Sequence, residues 1–77
     1  MDLAEYAVEL ARISGEMRKN RNAYDELCQR HVRSVETGFL PTAGAKATAQ
    51  AEWARLDREY DLLREHHKTL IQRGPDL

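Results

Sequence analysis

Apolar residues recur at alternating spacings of three and four along the first half of the chain, the pattern of heptad a and d positions in a helix that packs on another helix. The stripe consists of Leu3, Tyr6, Leu10, Ile13, Met17, Asn20, Tyr24 and Leu27, and it continues with a phase shift through Cys28, Val32 and Val35. Asp2 and Glu5 precede it at capping-box spacing, and Gly38 follows it as a C′ residue would. The pattern predicts a first helix over about residues 2–37.

A second stripe with the same spacing fills the other half of the chain. It consists of Ala49, Trp53, Leu56, Tyr60, Leu63, His67 and Leu70. Gly74-Pro75 ends it, and Pro41 lies between the two stripes, where no helix can run through uninterrupted. We therefore expect a single domain over residues 1–77, with a turn at 38–44, Thr42 as N-cap and a second helix over about 45–73.

A turn this short makes the two helices antiparallel. If residues near 37 and 43 face each other, partner numbers sum to roughly 80, which places Asn20 opposite Tyr60. A buried asparagine costs stability unless its amide finds a hydrogen-bond partner, and the Tyr60 hydroxyl is the expected one. The predicted fold is an all-α, coiled-coil-like antiparallel two-helix hairpin in which Asn20 and Tyr60 fix the register.

Helix one carries a second set of small and apolar residues outside this seam, and helix two adds two more. The set comprises Ala4, Val8, Ala11, Gly15, Leu62 and Ile71. A chain of 77 residues with one cysteine, Cys28, has no internal disulfide to supplement its small core, and association is a usual source of the missing stability. We expect the set to mediate formation of a homodimer, with two hairpins making a four-helix bundle. A foreign helix on the same residues is one alternative, and a simple reflection of helix propensity is another.

Charge patterning adds a second candidate surface. Arg18, Lys19 and Arg21 cluster on helix one, whereas Asp57, Asp61 and Glu65 follow one ridge of helix two at four-residue spacing. Like charges at that spacing repel by a few tenths of a kcal/mol. The favoured interpretation is a solvated surface that nearby basic residues neutralise. The alternative is that these two clusters mediate charged docking to another protein or to a second copy.

Composition excludes several classes of partner. Lys and Arg number 12 against 13 Asp and Glu, which gives a formal net charge of −1 and no global attraction to nucleic acid or an anionic membrane. No apolar run approaches the ~20 residues that span a bilayer. A single cysteine and an acidic N-terminal segment favour a cytoplasmic protein. We expect no membrane association, and nucleic-acid binding is the least favoured class.

Residues that could carry chemistry are few. His66 and His67 are adjacent, so on a helix they point about 100° apart, and no Glu-x-x-His or His-x-x-x-His pair provides helical metal-ligand spacing. Cys28 lacks the positioned base and the closed pocket that nucleophilic catalysis requires. The sequence predicts no metal, no cofactor and no enzyme. A pH-sensing role for His31, His66 or His67 stays open.

These features favour a small regulatory or adaptor protein that binds and inhibits a larger protein through its helical surface. Many bacterial and phage-encoded inhibitors share this architecture, which is an analogy of form alone. The alternative is a structural or assembly component, such as a secretion-chaperone subunit, whose second apolar set is covered by partner helices.

Overall fold

The chain folds into two long α-helices that pack against each other. A computed structural model describes residues 1–38 and 42–76 and places α1 at Leu3–Glu36 and α2 at Ala43–Arg73, with no strand in these two ranges. Contacts join residue 20 to residue 56 and residue 1 to residue 76, so the helices run antiparallel. The hairpin measures 58 × 17 × 12 Å. The prediction of an all-helical chain with two packed helices is confirmed.

Side-chain caps determine where the helices begin. The Asp2 carboxylate accepts a hydrogen bond from the Glu5 amide at 2.8 Å, as the sequence predicted. Thr42 Oγ1 accepts from the Ala45 amide at 3.1 Å and so caps α2. Because a capping side chain binds an amide about three residues ahead, α2 begins at Ala43, slightly before the predicted start near residue 45.

Glycines mark where the helices end. Gly38 has φ +79° and Gly74 has φ +64°, a region that residues with a Cβ adopt only at a cost. The Gly74 amide donates to the Leu70 carbonyl at 3.1 Å, which satisfies one of the last free carbonyl groups of α2. α1 ends at Glu36 and α2 at Arg73, each just before such a glycine. The predicted turn residues 39–41 lie outside the described residues.

The buried core between the helices is thin. Ile13 is fully buried, Leu56 and Leu70 are nearly so, and Asn20 is only 6% exposed. The other seam residues between these are half-buried: Tyr6, Leu10, Met17, Tyr24, Leu27, Ala49, Trp53, Tyr60, Leu63 and His67. Two helices thus bury one narrow stripe from each, as expected for a hairpin without a second layer.

Three residues of the predicted stripe lie outside this core. Leu3 is 61% exposed because it lies at the level where α2 has already ended. Val32 and Val35 are about half exposed, since the phase shift after Leu27 carries them off the packed stripe.

Polar contacts join the two chain ends at the open end of the hairpin. The Met1 ammonium pairs with the Asp76 carboxylate, and the Asp76 amide donates to the Met1 carbonyl at 2.8 Å.

Candidate interaction surfaces

A polar cluster crosses the middle of the seam. Asn20 Nδ2 donates to the Leu56 carbonyl oxygen at 2.9 Å, and Asn20 Oδ1 accepts from Arg21 Nε at 3.0 Å and Nη2 at 2.7 Å. The expected hydrogen bond to the Tyr60 hydroxyl is thus replaced by one to a backbone carbonyl. The reason is the register: contacting residues sum to 76 or 78 rather than 80, so Asn20 faces Leu56, one turn before Tyr60.

Arg21 links this cluster to both helices. Its guanidinium lies 4.1 Å from the centre of the Tyr60 ring and 4.7 Å from that of Tyr24. Its Nη2 atom also reaches Asp57 Oδ1 at 3.4 Å. Tyr60 therefore joins the cluster through its ring, as a cation–π partner. Arg21 and Asp57, two residues of the predicted charged docking set, already contact each other inside the hairpin.

The remaining charged docking residues have weaker partners or none. Lys19 is 3.9 Å from Glu16, and Asp61 is 3.7 Å from Arg64, both within one helix. Arg18 is exposed and its guanidinium has no ion-pair partner within the described ranges, and the same holds for the Glu65 carboxylate. The acidic ridge is therefore broken into residues with different partners.

The Arg21–Asp57 contact identifies one broad side of the hairpin, which we call the apolar face. Residues at multiples of seven positions from Arg21 or Asp57 share this side, and so do the residues three or four positions from these. At its two ends it carries Ala4, Ala7, Ala11, Val32 and Val35 of α1, and Ala47, Ala54 and Ile71 of α2. Its middle carries Arg18, Arg21 and Asp25 of α1 and Asp57, Asp61 and Arg64 of α2, and Lys68 lies nearer the end that carries Ile71. Charges thus occupy the centre, and apolar residues predominate at both ends.

The opposite broad side, which we call the charged face, is covered by ion pairs. Arg12 pairs with Glu9, and Arg55 pairs with both Glu52 and Glu59. The hydrogen bond from Arg12 lowers the pKa of Glu9, and the charge of His66 on α2 lowers it further. Hydrogen bonding by Glu52 is the main cause that raises the pKa of Arg55. Such pairs at i, i+3 and i, i+4 suit a solvated helix surface.

The six residues predicted to mediate association do not lie on one surface. Ala4, Ala11 and Ile71 lie on the apolar face. Leu62 follows Asp57 by five residues, so it points about 140° away and lies on the charged face, where it is 73% exposed. Val8 lies on the outer side of α1 and is 69% exposed.

Gly15 shares the outer side of α1 with Val8. It follows buried Ile13 by two residues and so points about 200° away from it, and a Cβ built on Gly15 would meet no atom within 4 Å. Sequence reasoning missed Val32 and Val35 as surface residues because it assigned them to the seam. Their spacing could have placed them correctly, since Val35 lies two heptads after Arg21.

The three histidines lie at separate places on the hairpin, and one of them packs against the tryptophan. His31 packs edge-on against Trp53 with ring centres 5.6 Å apart, His67 is half-buried and His66 is exposed. Within residues 1–38 and 42–76 no three His, Cys, Asp or Glu side chains lie close enough to hold a metal ion. The surface of the described residues includes two shallow, open grooves. One is lined by Met1, Ala4, Glu5, Val8 and Glu9, and the other by Leu27, Arg30, Ala45, Thr48, Ala49 and Glu52.

Comparisons of this chain with protein-family models, with curated proteins and with solved structures find no match. Neither helix, over its described residues, is long and apolar enough to cross a membrane.

Proposed function

We propose that this chain is a cytoplasmic, non-enzymatic regulatory or adaptor protein. It works as a homodimer with a four-helix core, and it inhibits a larger protein by covering a functional site with its helical surface. The observation that carries this proposal is large apolar side chains exposed outside the seam. Val8, Leu62 and Ile71 are each more than half exposed, whereas only three apolar residues within 1–38 and 42–76 are buried. Exposed apolar groups on a protein with so small a core favour association.

The shape of the surface supports protein binding. The groove beside Ala4 and Val8 is shallow and open and has Glu5 and Glu9 on its rim. An amphipathic helix docks into such a groove with its apolar side chains inserted and its polar ones at the edge. Val8 and Leu62 lie off the apolar face, so they stay available to a partner protein when that face is occupied.

A photo-crosslinking experiment tests the regulatory proposal. A photoreactive amino acid placed at Val8 or at Leu62 should crosslink in cells to one larger protein. The matched control is Gln29, an exposed polar position on α1, which should not crosslink to it. The purified partner should then lose activity when this chain is added. Crosslinks from Val8 and Leu62 to further copies of this chain alone would contradict the proposal.

The second candidate function is a structural or assembly component, such as a secretion-chaperone subunit. It is favoured by the half-buried state of most of the seam, which partner helices would complete. Sedimentation over a hundredfold concentration range, with far-UV circular dichroism on the same samples, separates the two. A helical dimer that melts cooperatively supports the regulator. A molten chain that folds only when its partner is present supports the assembly component.

A further inference from the structure

We propose that a second copy of this chain docks on the apolar face, with α1 of each copy lying over α2 of the other. The two-fold axis then runs parallel to the helices. This inference rests on the homodimer of the proposed function and specifies its geometry.

The difference between the two broad sides determines which one is buried. The charged face carries the Arg12–Glu9 pair and the Arg55 pairs, and burying them would require removing water from several charges at once. The apolar face has Ile71 at one end and Val32 and Val35 at the other, each about half exposed. Burying these side chains is favourable, and the alanines beside them let a second helix approach closely.

The charged middle of the apolar face is complementary to itself. Arg21 contacts Asp57 across the two helices. Arg18 lies one turn before Arg21 on α1, and Asp61 lies one turn after Asp57 on α2. Because the helices are antiparallel, Arg18 and Asp61 lie at nearly the same height. Arg18 has no ion-pair partner among the described residues, and Asp61 has only Arg64 at 3.7 Å. At the level of Arg18 and Arg21 the face therefore presents cations on α1 beside carboxylates on α2. Asp25 of α1 and Arg64 of α2 lie about one turn beyond this level, on opposite sides of it.

Two symmetric arrangements of such a face exist, and charge distinguishes them. An axis parallel to the helices places α1 over α2 of the second copy at the same height, so Arg18 meets Asp61 twice. An axis across the helices places α1 over α1 and α2 over α2. At the level of Asn20 this brings Arg18 against Arg21, and moved towards Asp25 it pairs Arg18 with Asp25. In both positions Asp57 lies near its own copy and has no cation of α1 opposite it, whereas the parallel axis gives both carboxylates a cation. Like charges in contact across an interface are costly, so the parallel axis is favoured.

Charge reversal with exchange between chains tests this arrangement. Arg18→Glu and Asp61→Lys should each weaken the dimer roughly tenfold or more, measured as the dissociation constant in sedimentation. An equimolar mixture should recover dimerisation. In the mixed dimer the two introduced charges meet each other, and the native Asp61 of the first variant meets the native Arg18 of the second.

The control for this experiment is Lys19→Glu, which makes the same charge change one residue away on the charged face. It should leave the dissociation constant unchanged. Circular dichroism on every variant verifies that the helices are intact. If Lys19→Glu weakens the dimer as much as Arg18→Glu, or if the mixture does not recover, the arrangement is overturned.

Cys28 provides an independent readout without any substitution. It lies on the apolar face, seven residues after Arg21. With the parallel axis, both Cys28 residues lie at the same height and a short bis-maleimide should join them. With a crossing axis near Asn20 they would lie roughly 24 Å apart along the helices, at 1.5 Å per residue, and would not be joined.

The failure of this inference and that of the proposed homodimer are distinguishable. A wild-type chain that remains monomeric over the whole concentration range removes the homodimer itself. A stable dimer that neither recovers in the mixture nor crosslinks through Cys28 keeps the homodimer and removes only this geometry.

Discussion

At the scale of single residues, Asn20 and Arg21 explain how a polar residue is tolerated in the middle of the seam. The Asn20 amide donates to the Leu56 carbonyl and accepts from Arg21, so both of its polar groups have partners. Arg21 in turn stacks on Tyr60 and reaches Asp57. Sliding one helix by a turn would separate Arg21 from both residues, which is why we expect this cluster to hold the register.

Replacing Asn20 by alanine should therefore destabilise the hairpin. Loss of a buried amide that bridges the helices typically costs about 1–3 kcal/mol, and the free energy of unfolding in urea measures it. The matched variant is Tyr60→Phe, which keeps the ring under Arg21 and removes only the hydroxyl. It should change the unfolding free energy by less than about 0.5 kcal/mol, as a substitution away from a structural hydrogen bond does. Equal losses in the two variants would show that the hydroxyl is the true partner of Asn20.

At the scale of the helices, carboxylates near the start of α1 couple its stability to pH. A hydrogen bond from the Glu5 backbone amide lowers the pKa of Asp2 below its ordinary 3.8, and Arg12 lowers that of Glu9 below its ordinary 4.5. A lowered folded-state pKa stabilises the helix above the unfolded pKa, and this stabilisation is lost as the pH falls through the folded value. Both groups therefore act in the same direction.

We expect the melting temperature of the hairpin to fall as the pH is lowered from about 5 towards 2, because the Asp2 and Glu9 carboxylates become protonated in that range. Asp2→Asn keeps a side chain that caps the helix but removes its titration. This variant should lose less stability on acidification than the wild type, as measured by circular dichroism melts at each pH. An identical acid response in the two proteins would mean that the Asp2 cap contributes nothing to the pH dependence.

Local chemistry explains why the helix ends could be predicted from sequence. Asp2, Thr42, Gly38 and Gly74 determine their boundaries through contacts within a few residues, so no knowledge of the rest of the fold was needed. The pairing of the helices could be predicted only approximately, because it depends on how the chain passes through the turn. An error of one turn was enough to assign Tyr60 the role that the Leu56 carbonyl fills.

The division into two faces needs helical spacing within each helix and one contact between the helices. Ile71 and Leu62 are nine residues apart, which on a helix places them about 180° apart, on opposite edges of α2. The contact between Arg21 and Asp57 then shows which edge of α2 adjoins which edge of α1. That contact places Ile71 on the same broad side as Arg21 and Leu62 on the opposite one.

At the scale of the whole molecule, the hairpin is a thin rod. Its extents of 58 × 17 × 12 Å leave room for one layer of packing, and three apolar residues are buried in the part of the chain that the structure describes. Domains ordinarily bury their apolar stripes between at least two packed layers. A second hairpin laid along the apolar face would provide the second layer without lengthening the particle.

This reasoning leads to a prediction for small-angle X-ray scattering. A dimer packed side by side along the apolar face should keep a maximum dimension close to the 58 Å of one hairpin while its mass doubles. A dimer joined through the ends would be roughly twice as long, since each helix spans most of that length at 1.5 Å per residue.

Ile71→Glu should convert the short particle to monomer, because a carboxylate would be buried at the interface. Leu62→Glu, at an equally apolar and more exposed position on the charged face, should leave the dimer intact. An elongated dimer, or one that Leu62→Glu disrupts and Ile71→Glu does not, would place the contact elsewhere on the rod.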